Sequence, residues 1–153
     1  MTITLEPIGV VRSDRKEAID DNWDSVGSYI ELSETYEEDA LLGLSEFSHI
    51  EIIYYFDKVD KAKIVVKAEH PRENPNWPKV GIFAQRKRAR PNLLGATISK
   101  LLKIEGRRIY LESFDAIDGT PVLDIKPVFV EYLPREVVRQ PTWVRELMKN
   151  YWK

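Results

Sequence analysis

The sequence predicts a mostly β (α+β) fold: a single β-barrel-like domain with one or two short helices and a C-terminal helix. Three observations carry that expectation. Six to eight short runs of branched and aromatic residues recur along the chain, separated by Gly, Pro, Asn or Asp. Helical spacing occurs in only two places, and that balance points to a barrel. With 153 residues, 43% hydrophobic and 31% charged, the chain is long enough for one core without disulfides or metals. The expected domain is residues 1–153, with its barrel core over about 5–130 and the terminal helix over about 142–152.

In order, Ile3 to Arg12 predicts a strand, with Pro7 at an edge or bulge. Arg12 to Ser28 is polar and long for a loop, and Trp23 stands alone in it among Asp20, Asp21, Asn22 and Asp24. Trp23 either packs on a neighbouring surface or lines a pocket or subunit contact. Tyr29–Leu32 predicts a short strand, and Glu34–Leu42 a short helix ended by Gly43. Phe47–Phe56 predicts a central strand buried on most of both faces, with His49 near its start as a hydrogen-bonded structural residue. Ile64–Ala68 predicts another strand. Pro71, Pro75 and Pro78 impose an irregular loop. Lys79–Gln85 resumes as a strand and Asn92–Gly95 turns. Ala96–Glu105 and Arg108–Phe114 form a hairpin about Glu105-Gly106-Arg107. Asp118-Gly119 turns into a short strand, Leu123–Ile125. The apolar residues at 143, 144, 147, 148, 151 and 152 predict an amphipathic helix, capped by Thr142 with Glu146 in support.

Several function classes have no foothold. There is no cysteine, which removes thiol nucleophiles, disulfides and Cys-based zinc sites and suits a reducing cytoplasm. Two histidines, His49 and His70, make a poor metal site, and no metal is expected. No apolar stretch approaches the ~18 residues of a membrane span, and the N-terminus lacks the pattern of a secretory leader. Gly-x-Gly-x-x-Gly, phosphate-loop, Gly-x-Ser-x-Gly and His-Glu-x-x-His motifs are absent.

Two stretches stand out. In Gly81-Ile-Phe-Ala-Gln-Arg86-Lys87-Arg88-Ala-Arg90-Pro91-Asn92-Leu-Leu-Gly95-Ala-Thr97, four of the five residues from Arg86 to Arg90 are cationic, in a chain of net charge −2. Such a cluster is either a solvated face or a site for an anion. The other stretch is Phe114-Asp115-Ala-Ile-Asp118-Gly119-Thr120-Pro121-Val122-Leu-Asp124-Ile-Lys126-Pro127. On residue chemistry alone, its Asp-Gly-Thr-Pro is either a hairpin turn or a rigid turn presenting backbone groups to a ligand.

With Pro7-Ile-Gly9-Val-Val-Arg12-Ser13 and Gly43-Leu-x-x-Phe47-Ser48-His49, these stretches resemble the TsaA-like family, which includes the TrmO-type tRNA methyltransferases. The likeness spans about residues 5–130 at four places in the right order. It implies a homodimeric, cytoplasmic β-barrel methyltransferase that uses S-adenosylmethionine, held near the subunit interface, to methylate N6 of threonylcarbamoyl-adenosine next to the anticodon of tRNA. The donor site it implies comprises Asn22, Trp23, Asp57, Lys58, Arg86, Ala96, Asp118, Gly119, Thr120, Pro121 and Val122, with Arg86 on the methionine carboxylate. Arg88, Arg90 and Asn92 are expected to face the acceptor, and Asp118 and Asn92 to be catalytic. The chain departs from the family pattern at Lys87-Arg88-Ala89, where Ser-Pro is common, and at Asn92-Leu93-Leu94-Gly95, where Asn-Pro-Ile-Gly is common. The longer tRNA enzymes also carry a C-terminal extension. These departures keep two alternatives open: another RNA or small-molecule acceptor with the same donor, and a non-catalytic barrel that binds RNA or a nucleotide.

Overall fold

A computed structural model describes residues 1–153. Six strands close into an antiparallel barrel: β1 (Gly9–Ser13), β2 (Ser28–Leu32), β3 (His49–Tyr55), β6 (Leu94–Glu105), β7 (Arg108–Glu112) and β8 (Pro121–Pro127). Their order around the barrel is β1-β2-β7-β6-β3-β8, and β8 pairs back onto β1 through Gly9↔Val122 and Val10↔Pro121. Two short strands, β4 (Ala68–Glu69) and β5 (Val80–Gly81), form a separate ribbon.

Alternation builds the interior. Val11, Ile30, Ile50, Ile52, Ile109, Leu111 and Val122 point inward, and the intervening residues of their strands face outward. Phe114 and Tyr54 plug one end, their rings edge-to-face at 5.5 Å. A barrel of this size is filled by side chains and leaves no interior channel. The twelve-residue β6 pairs with β3 along its first half and with β7 along its second, and a register shift between Leu101 and Lys103 bends it between the two.

The expected barrel and its hairpin are present, with corrections to single elements. The first strand starts at Gly9, and residues 1–7 are exposed coil. The expected helix at 34–42 is a pair of 3-10 turns, Glu38–Leu41 and Leu44–Glu46, split by Gly43 at φ +84°. β3 is buried on one face only. The strand expected at 64–68 shrinks to Ala68–Glu69 because Val65 N–H bonds to Ala89 O instead of a barrel neighbour. The strand expected at 79–85 shrinks to Val80–Gly81 and becomes a 3-10 turn at Ile82–Ala84. The turn at 92–95 falls earlier, at Pro91–Leu93, and Gly95 lies inside β6 opposite Tyr54. A Cβ on Gly95 would sit 2.4 Å from the Tyr54 ring, so this glycine serves close packing rather than turning. The C-terminal helix α1 spans Thr142–Leu147 only; its N-cap is Pro141 without a side-chain cap, and Glu146 instead accepts from Trp77 Nε1 at 2.7 Å.

The strand directions gather three loops at one end of the barrel: residues 14–27, 56–93 and 113–120, following β1, β3 and β7. The 56–93 segment is a 38-residue excursion that contains the β4/β5 ribbon. No helix is long and apolar enough to cross a membrane.

Candidate functional site

The residues expected to bind donor or acceptor lie on or beside the three loops at this end. The excursion delivers the arginines. Arg86 donates to Ala96 O at 2.5 Å, tying the basic segment to the start of β6. Arg90 folds back onto Gln85 O at 2.7 Å, and Arg88 lies 3.9 Å from Asp20 of the β1–β2 loop. Lys87 is held by Glu69 of β4. Asn92 is exposed, with φ +63°, and makes no side-chain hydrogen bond.

The Asp-Gly-Thr-Pro turn is braced against β1. Gly119 N–H bonds to Val11 O at 2.8 Å, Val11 N–H to Thr120 O at 2.9 Å, and Thr120 Oγ1 to Ile117 O at 2.7 Å. Gly119 adopts φ +84°, and no atom lies within 4 Å of where its Cβ would stand, so the turn presents bare backbone to open space. Asp118 accepts from Ser13 N–H at 3.1 Å and from Lys16 Nζ at 2.8 Å. The Lys16 hydrogen bond, then the Ser13 one, holds its carboxyl below the usual range. That makes Asp118 a weak proton acceptor and a strong brace.

Between the two turns lies a carboxylate that the sequence reading passed over. Asp115 accepts from Thr97 Oγ1 at 2.5 Å, Tyr54 Oη at 3.2 Å and Tyr151 Oη. Burial and then the Asp115 charge push both phenols well above their ordinary value, and Arg86 counters that rise at each. Arg86 is therefore within electrostatic reach of the Asp115 cluster, and Asp115 stands three residues before Asp118. The two turns, distant in sequence, are joined through this network.

The C-terminal segment straps the loops together. Asn22 N–H bonds to Asn150 O and Trp23 N–H to Tyr151 O, both at 2.9 Å. Trp77 of the excursion is held by Glu146. Trp23 takes the packing role: it is 4% exposed and lies under the Arg15 guanidinium, 4.3 Å from the ring centroid. Asn22 is exposed at the rim. Asp57 and Lys58 are exposed at the exit of β3, 3.8 Å from each other, and contact neither turn. His49 pairs with Ser48 Oγ at 2.7 Å at the far end of the barrel. An apolar groove of about 530 Å³ at that end contains none of the site residues. No group of three or more His, Asp or Glu side chains is arranged to hold a metal.

Fold and site define a class: a small closed antiparallel barrel with arginines and a rigid glycine turn converging at one end. The family model of the tRNA-methyltransferase O N-terminal domain matches residues 20–133, and this chain belongs to that family. The human tRNA (adenine(37)-N6)-methyltransferase is 44% identical over 113 residues, covering 74% of this chain and 25% of that protein. A probable S-adenosyl-L-methionine-binding protein of Pyrococcus abyssi is 34% identical over 148 residues, covering 91% and 75%. The crystal structure of TrmO from Pseudomonas aeruginosa superposes with a TM-score of 0.75 at 28% identity, covering 94% of this chain and 62% of that one. The chain thus spans about a quarter of the human relative's length and about three quarters of the archaeal one's.

Proposed function

We propose that this chain binds S-adenosylmethionine at the loop end of its barrel and methylates N6 of threonylcarbamoyl-adenosine beside the anticodon of tRNA. The observation that carries the proposal is that Arg86 is tied to Ala96 O beside Thr97, whose hydroxyl bonds Asp115 at the entry to the braced 118–122 turn. Arg86 is exposed, spends one hydrogen bond on Ala96 O and has no carboxylate partner. It is free to take the donor's methionine carboxylate as a forked pair. The open side of Gly119, on a turn whose Thr120 and Val122 are buried against β1, suits the edge of an adenine, and the small side chain of Ala96 lets a ligand lie against β6. Asn22 closes the rim, Trp23 supports it from beneath, and Asp57 and Lys58 flank the mouth.

The donor supplies an activated methyl on a sulfonium. The protein's contribution is alignment, since an in-line displacement depends on holding nucleophile and methyl close and collinear. The acceptor nitrogen is a weak nucleophile, its lone pair shared with the purine and the carbamoyl group, so its proton needs a polar acceptor nearby. Asp118 serves this site as the brace of the donor turn. Arg88 and Arg90 face the acceptor's phosphates, and Asn92, unbonded at an exposed turn, reads a base edge.

Two further parts belong to the proposal. The protein works in the cytoplasm on tRNA, and it works as a homodimer. The stretch from Phe129 to Thr142 is exposed throughout, and within it Tyr132 is 87%, Val130 78% and Val137 91% exposed. An apolar arm of that length suits the surface of a second subunit.

The test is transfer of labelled methyl to tRNA with and without the threonylcarbamoyl group. Label confined to modified tRNA is the expected result, and Arg86→Ala should weaken donor binding by at least tenfold in calorimetry. The departures at Lys87-Arg88-Ala89 and Leu93-Leu94 favour a second reading, an altered acceptor on the same donor site. Equal transfer to both tRNAs would select it.

A further inference from the structure

Charge is divided unequally between the two parts of this molecule. The excursion at 56–93 holds ten Lys or Arg against four Asp or Glu; the remainder holds thirteen against twenty-one. Much of the excursion's charge is left unanswered. Arg72 and Arg88 approach Asp20 and Asp21 of the β1–β2 loop, Lys87 meets Glu69, and Lys58 meets its neighbour Asp57. Lys61, Lys63, Lys67 and Lys79 are exposed and make neither an ion pair nor a side-chain hydrogen bond. Four free lysines on a segment this short raise a local positive potential although the protein is acidic overall.

The excursion's own hydrogen bonds gather these lysines onto one unit. Ala68 pairs with Gly81 and Glu69 with Val80, so Lys67 and Lys79 bracket the ribbon from opposite ends, about 10 Å apart at the rise of an extended chain. Gln85, 8% exposed, donates through Nε2 to Glu69 O and Val80 O and fixes the ribbon from inside. Val65 N–H on Ala89 O and Ile82 N–H on Lys67 O lay the Val65–Lys67 stretch along the Ile82–Ala89 segment, and Lys61 and Lys63 sit on the 3-10 turn just before it. The free lysines and the arginines of the site are therefore carried by one hydrogen-bonded unit. By contrast, Lys100, Lys103 and Lys126 on the barrel wall are each paired with a carboxylate, Glu112, Glu105 and Asp124 respectively.

We propose that Lys61, Lys63, Lys67 and Lys79 form an RNA-docking surface that holds the phosphate backbone of the tRNA away from the reacting base. The proposal rests on the tRNA substrate proposed above and extends it beyond Arg88 and Arg90. The ligand chemistry is a polyanion with regularly spaced phosphates. Lysines suit it as mobile point charges that add affinity and steering without reading sequence.

The experiment is the salt dependence of binding of an unmodified tRNA transcript, with donor affinity measured by calorimetry on the same samples. The variants are Lys61→Gln with Lys63→Gln, Lys67→Gln with Lys79→Gln, all four together, and Lys100→Gln with Lys103→Gln and Lys126→Gln as a charge control. Each lost phosphate contact should flatten the slope of log K against log salt by about 0.7–0.9. The fourfold variant should therefore lose a slope of about 3, each pair about half of that, and the barrel-wall control none, with donor affinity unchanged throughout. An unchanged slope in the fourfold variant, or an equal loss in the control, would overturn the docking surface while leaving the proposed methyl transfer standing. A flattened slope in a protein whose wild type binds no donor would keep the surface and overturn the methyltransferase.

Discussion

The barrel and its excursion solve different problems with the same chain. The barrel strands balance their charges, alternate to fill a core, and pair Lys100, Lys103 and Lys126 with carboxylates. The excursion is basic, has only a two-residue ladder, and keeps its shape with isolated hydrogen bonds such as Gln85 to Glu69 O and Val80 O. Apolar burial scales with area removed from water and stabilises the barrel. Free exposed charge adds little to stability but much to the capture of a polyanion. Under the proposed function, stability resides in one region and partner recognition in the other, with the proposed donor site at their junction.

The largest effect should come from the barrel. Phe114→Ala removes a fully buried ring that meets Tyr54 edge-on and should cost about 3–5 kcal/mol in denaturant unfolding. A loss below about 1 kcal/mol would mean that the plug at the loop end is not packed as described. Gly95→Ala places a methyl 2.4 Å from the Tyr54 ring, which Phe56 backs at 5.4 Å, and should cost about 1–3 kcal/mol by overpacking. Tyr151→Phe sharpens the boundary between the regions. It removes one hydroxyl from Asp115 and should cost about 1 kcal/mol of stability. It should also weaken donor binding severalfold, because the strap that carries Asn22 and Trp23 loses its latch. Thermal melts and calorimetry on one preparation separate those two losses.

At the junction, pH provides a finer probe. Asp118 has a lowered carboxyl in the folded protein, so its contribution is present above the unfolded value near 3.8 and is lost as pH falls through the lower folded value. Its carboxyl resonance should titrate below 3.8, and Lys16→Gln should move the midpoint upward. A wild-type midpoint at or above that value would remove the brace. The smallest expected change is in the stability of the fourfold lysine variant, which should stay within about 0.5 kcal/mol of wild type, as exposed substitutions generally do.

How much of this the sequence revealed follows the same division. The barrel strands were legible because alternation and turn residues are local signals: the Glu105-Gly106-Arg107 hairpin and the Asp118-Gly119 turn both stand as expected. The excursion was harder to read. Ile64-Val65-Val66 has strand composition, yet its backbone partner is Ala89, twenty-four positions away from Val65, and no ladder forms. The terminal helix was read too long because apolar residues at 147, 148, 151 and 152 fit a helical face, whereas the last of them belong to a strap that gives its carbonyls to Asn22 and Trp23. Asp115 was invisible as a hub because its donors come from positions 54, 97 and 151, and no spacing rule joins them. Arg86 and the 118–122 turn were expected to share one site only through family likeness.

Steady-state methyl transfer measured across ionic strength tests the division of labour most directly. Between 50 and 200 mM salt, the account predicts that KM for tRNA rises by about 1000-fold while KM for S-adenosylmethionine stays within about twofold. A KM for tRNA that does not change, or two KM values that rise together, would contradict it.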